Sequence, residues 1–321
     1  MSKRVGYLTT YLLVMFALTL LRIAVNVEVF GELGEWELDF MFTTIAQVFC
    51  MGIIPILGII LATQKHDYDV DCASELKKRL SIKKPNKKIW LPTLILVILH
   101  PIINGGVSTV WSNFICWTGY TPVISDATVY SGVEYLFLGI LLTAVLPAIF
   151  EEITHRGLVL QFCGGNVHKR VLLSALLFAL MHQNIMQTGY TFVGGLLMGY
   201  ITVLSGSIFP AILMHAFNNL LVVIRGYSAS VNGLVYQIYK GINAFGSSLF
   251  GAIVLALVWA LAVGVTIYIY YKWSKKTSVE FPTVVESEEK EEKVLSGFLW
   301  GAIIVFGAVT TIYTYVWGLM R

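Results

Sequence analysis

Residues 135–162 read YLFLGILLTAVLPAIFEEITHRGLVLQF, with no charge from Tyr135 to Phe150 and then two adjacent glutamates, Glu151 and Glu152. A stretch of about 20 mostly apolar residues is long enough to cross a bilayer core. An ionised carboxylate near the middle of such a helix costs at least about 2.5–3.5 kcal/mol. That cost is tolerated where the group is paired, protonated or turned to an internal cavity. Two in succession mark the place where chemistry is expected.

The rest of the chain has the same solvent in view. Of its 321 residues 57% are hydrophobic and only 13% charged, against about a quarter charged in a typical soluble domain. The reading is an all-α polytopic integral membrane protein with about 8–9 transmembrane helices around an intramembrane cavity. Spans fall near 6–27, 41–63, 90–117, 132–161, 171–187, 189–205, 207–225, 249–271 and 296–318. Gly194, Gly195 and Gly199 on the sixth suit close helix packing. The four cysteines, Cys50, Cys72, Cys116 and Cys163, form no CxxC pair and suggest neither a disulfide framework nor a zinc ribbon. The first apolar run follows Lys3 and Arg4 but lacks a clean small-x-small cleavage site, so it reads as a retained helix.

Basic residues orient the chain. With Lys3 and Arg4 inside, the segments 64–89 and 272–294 are cytoplasmic, and only Arg22, Arg225, Lys240 and Arg321 fall on the other face. The expectation is a multi-pass protein of the cell membrane with a cytoplasmic N-terminus. Three parts follow: N-terminal helices over 1–125, a catalytic core over 126–230, and C-terminal helices over 231–321. The net charge of +3 says little about partners, and nothing points to nucleic acid. The oligomeric state is not legible.

Three spans carry polar residues unsuited to lipid: Glu151, Glu152, His155 and Arg156; then Phe178 and His182; then His215, Asn218 and Asn219. Residues four apart share a helix face, which groups Glu151 with His155, Glu152 with Arg156 and His215 with Asn219. Asn218 is rotated away by about 100°. Helix ends near Phe162, Arg170 and Ser207 put Glu151, His182, His215 and Asn219 at one level, roughly 12–18 Å deep. Such groups suit attack of water on a carbonyl: a buried carboxylate as general base, an imidazole to hold the water, and an imidazole and amide as oxyanion donors. Glu152 with Arg156 reads as a buried ion pair that fixes the helix. His100 and His168 read as packing and loop residues.

These residues resemble the CAAX-protease and bacteriocin-processing (Abi) family of intramembrane proteases, which includes the eukaryotic Ras-converting endopeptidase. The family's EExxxR, FxxxH and HxxxN motifs are matched in order by Glu151-Glu152-ITH-Arg156, Phe178-ALM-His182 and His215-AFN-Asn219. The resemblance implies glutamate-dependent hydrolysis of a peptide bond within the bilayer. Glu151 with His182 then activates water, His215 with Asn219 forms the oxyanion site, and Glu152 with Arg156 supports them. No cofactor is favoured. The alternative is zinc held by Glu151, His182 and His215. The implied partners are the lipid bilayer and a membrane-associated peptide or protein substrate, without a prenyl group if the chain follows the bacterial branch.

Two other classes start from the same residues. Buried Glu, His and Arg also build proton relays in transporters, although paired broken helices and inverted repeats are not evident here. A non-catalytic immunity or binding protein could keep the fold and bind a peptide.

Overall fold

The computed structural model describes residues 2–26, 35–64, 71–85, 87–122, 132–163, 166–275 and 290–320. Helix is the only regular secondary structure among them. In chain order the helices are α1 (Lys3–Asn26), α2 (35–64), α3 (Cys72–Arg79), α4 (Trp90–Trp117), α5 (133–162), α6 (Val167–Met181), α7 (Ile185–Ser205), α8 (Phe209–Ser230), α9 (Leu234–Gly246), α10 (Leu249–Ser274) and α11 (Lys290–Leu319). Eight of them (α1, α2, α4, α5, α7, α8, α10 and α11) are long and apolar enough to cross a membrane. The chain is an all-α multi-pass membrane protein.

The expected fifth span, 171–187, is shorter than its hydropathy suggested. Helix α6 begins after Asn166, whose side chain caps Lys169 N, and stops at Met181. Gln183 then takes a positive φ of 47°, and Asn184 caps the next helix through Met186 N. Fifteen residues make about 22 Å of helix, less than the roughly 30 Å of hydrocarbon. The unpaired carbonyls at this helix end are met from α1. Arg22 donates to the carbonyls of His182 at 2.9 Å and Gln183 at 3.3 Å.

Helix α1 buries one face, with Tyr7, Leu8, Tyr11, Val14 and Met15 fully buried, and exposes Leu13, Phe16, Leu20 and Ile23 on the other. It packs on α2 and α11. The glycines of α7 do the packing expected of them. A Cβ at Gly195 would stand 3.0 Å from Ala175 Cα, and one at Gly199 2.9 Å from Val171, both on α6. Towards the C-terminus the apolar surface turns outward: Leu249, Phe250, Leu257, Leu261 and Ile267 of α10 are exposed, as suits a lipid-facing helix. Helix α8 runs to Ser230, five residues past the expected end. The segment after it contains α9, which has no buried residue and exposes Leu234, Val235, Ile238, Ile242 and Phe245.

Helix α5 is irregular around its glutamates. Ile140–Val145 and Ile153–Val159 are π-helical, flanking Leu146–Glu152. Wide π turns inside helices are often found at functional sites. Pro147 opens the middle segment and cannot return a hydrogen bond to the carbonyl four residues earlier, that of Thr143. Asn219 Nδ2 of α8 donates to that oxygen at 3.0 Å.

Candidate active site

Glu152 and Arg156 are fully buried, with Arg156 Nε 3.1 Å from Glu152 Oε2. The charges are close, although the N–H is not aligned as a hydrogen bond. Arg156 Nη2 reaches Gly195 O at 3.4 Å, and its guanidinium stands 4.9 Å from the centre of the Phe178 ring. The other Glu152 oxygen is taken by His215, whose Nδ1 lies 3.0 Å from Oε1. A carboxylate accepts, so Nδ1 carries a proton, and in the neutral ring Nε2 is then an acceptor.

That acceptor faces the other glutamate. His215 Nε2 is 3.9 Å from Glu151 Oε2, too far for a direct hydrogen bond. Glu151 Oε1 accepts from Gln47 Nε2 at 2.8 Å, whereas Oε2 has no hydrogen-bond partner among the described residues. Both Glu151 and His215 are buried, at 6% exposure each. The site thus holds one occupied and one open carboxylate oxygen, with an open imidazole nitrogen opposite.

The other two histidines back-bond to their own helices. His182 Nδ1 donates to Phe178 O at 2.8 Å and His155 Nδ1 to Glu151 O at 2.9 Å, which leaves each Nε2 as an acceptor in the neutral ring. Tyr11 OH stands 3.2 Å from His155 Nε2 and 3.0 Å from Leu177 O, and its single proton serves one of these two acceptors at a time. The His155 ring is therefore turned to α1 instead of sharing its cavity with the Glu151 carboxylate.

Phe178 is the common wall. Its ring centroid is 4.9 Å from those of His155 and His182 and 5.9 Å from that of His215, each edge-on. Counting residues along the helices gives depths of about 22 Å for His182, 16 Å for Glu151 and 9 Å for His215. The level coincidence expected from sequence is therefore looser than it looked, and lateral packing on Phe178 gathers the groups. Truncating this buried ring in Phe178→Ala should cost about 3–5 kcal/mol of stability, read as a lower unfolding temperature in detergent, with Phe178→Leu much milder.

Asn219 lies at the edge of this cluster, one of its N–H groups committed to Thr143 O. Asn218, expected to point elsewhere, donates to Asn219 Oδ1 at 3.1 Å and accepts from Asn104 at 3.5 Å; Asn104 in turn meets His100 Nε2 at 2.9 Å. His100, read from sequence as packing, thus ends a polar chain leading to Asn219. Gln47 and Tyr11 carried no signal, being isolated uncharged residues on apolar helices, and Arg22 was read only as a charge on the outer face. Among the described residues no three His, Cys, Asp or Glu side chains are arranged to hold a metal ion.

The family model described as type II CAAX prenyl endopeptidase Rce1-like matches residues 133–221. This segment is similar to that family. It runs from the start of α5 to just beyond Asn219 and contains all three motifs, as the sequence resemblance implied. No curated protein and no solved structure matches the chain. The Rce1-like segment, set among helices able to cross a membrane, supports an intramembrane endopeptidase.

Proposed function

We propose that the chain hydrolyses a peptide bond of a membrane-associated peptide or protein, with Glu151 as the general base. The gap between Glu151 Oε2 and His215 Nε2 carries this reading. A water about 2.8 Å from each atom spans the gap with an angle near 90° at its oxygen. Both of its protons then face acceptors, and an oxygen lone pair is left for the substrate carbonyl. Attack forms the C–O bond as Glu151 takes one proton; collapse breaks the C–N bond, and the leaving amine receives that proton directly or through His182 Nε2. Glu152, held by Arg156, keeps His215 in the tautomer with Nε2 open. The uncommitted N–H of Asn219 polarises the substrate oxygen. His215 therefore sits with the water in this scheme, and His182 takes the proton-carrying part. The basic segments 64–89 and 272–294 support a cell-membrane location with the N-terminus cytoplasmic.

Peptide fragments released by purified protein in proteoliposomes test the proposal. His215→Ala should lose at least about 100-fold in kcat, in the range for a group handling protons. Asn219→Ala should lose about 100- to 1000-fold, as for an oxyanion donor. Near-normal kinetics would remove the residue concerned from the site. Ion movement across sealed vesicles without any fragment would point to a transporter instead.

A further inference from the structure

We infer that Gln47, outside the Rce1-like segment, is a positioning residue for Glu151. The inference rests on the hydrolytic reading above and adds a group to it. A carboxylate with two equivalent oxygens can rotate, and only one orientation turns a free oxygen to His215. Gln47 Nε2 removes that freedom by donating to Oε1 at 2.8 Å, which leaves Oε2 facing the imidazole.

The support for Gln47 is built into α2. Residues Ile45–Ile53 of this helix are π-helical, like the segments flanking the glutamates on α5. The two helices meet closely: a Cβ at Gly52 would stand 2.6 Å from Phe150 Cδ1, so only a glycine fits without displacing that ring. Thr154 Oγ1 donates to Met51 O at 2.6 Å, one turn from Gln47. These contacts, four and five residues after Gln47 on α2 and on either side of Glu151 on α5, fix the register of the two helices. Gln47 Oε1 is buried with no hydrogen-bond partner among the described residues, an arrangement that costs stability.

Two substitutions and two readouts test the assignment in the full-length protein in lipid. Gln47→Met keeps the volume and removes the donor. It should lower kcat about 10- to 50-fold while KM stays within about twofold and the unfolding temperature hardly moves. Gln47→Glu places a second carboxyl against the first, which restores a donor only when protonated, because two adjacent carboxyls share a proton. Its activity relative to the parent should therefore rise as pH falls from about 8 to 5.5. The titratable groups around Glu151 are Tyr11, His182, Tyr190 and His215, with Glu152, Arg156 and the outward-turned His155 on its own helix. These groups are common to parent and variant, so their titration largely cancels in the ratio. Labelling of Glu151 by a hydrophobic carbodiimide, mapped by mass spectrometry, needs no turnover and should quicken several-fold in Gln47→Met. Unchanged kcat and unchanged labelling in Gln47→Met would overturn the assignment. A parent protein that cleaves nothing, with labelling still dependent on residue 47, would overturn the hydrolytic reading alone.

Discussion

Glu151→Gln is expected to reduce peptide cleavage by about 1000-fold or more while the protein inserts, folds and elutes as the parent does. The amide keeps the shape of the side chain and its polar contacts with Gln47, but it cannot take a proton from water. General acid–base groups contribute about 100- to 10,000-fold, and an effect at the upper end is expected where one carboxylate is the first acceptor. A stability loss comparable with the activity loss would indicate a structural glutamate. Preserved turnover would remove Glu151 from the chemistry.

The second large effect concerns the neighbouring glutamate and separates stability from activity. Glu152 and Arg156 are both inaccessible to solvent, and Glu152 also holds His215 Nδ1. Removing one partner of a buried pair leaves the other charge uncompensated, at about 3–5 kcal/mol. Arg156→Met should therefore unfold readily in detergent. The double variant Glu152→Gln/Arg156→Met removes both charges with little change in volume and should recover most of that stability. It should not recover activity, because an amide can present either its oxygen or its N–H to His215 and no longer fixes the imidazole with Nε2 open. Thermal unfolding and kcat measured on the same three preparations decide the matter. Parallel recovery of both quantities would assign the pair a purely structural part.

Much of this was legible in the sequence, and the physical reason is cost. Charged residues in apolar spans are expensive enough that Glu151, Glu152, Arg156, His182 and His215 stood out, and helical spacing paired Glu152 correctly with Arg156. Spacing within one helix says nothing about which histidine of another helix meets which carboxylate. Glu151 was expected to work with His182, and the structure brings a second imidazole to it, with His215 Nε2 at 3.9 Å. The π turns around Glu151 were hidden because they leave no compositional mark. They help explain why His155, four residues on, turns to Tyr11. The length of α6 was hidden for a related reason: its end is made by the backbone at Gln183 and by Arg22 from another helix, with neither proline nor glycine at the break. Gln47 was the costliest omission, since an uncharged amide in an apolar run raises no alarm until its partner is seen.

The most direct measurement is the origin of the oxygen in the product. Purified protein in lipid vesicles is given its peptide substrate in water enriched in oxygen-18, and the fragments are weighed by mass spectrometry. The parent protein is expected to yield a new C-terminal carboxylate bearing one labelled oxygen per cleavage, and Glu151→Gln almost none of that fragment. Unlabelled fragments, or equal amounts of labelled fragment from both proteins, would contradict hydrolysis by a water held at Glu151.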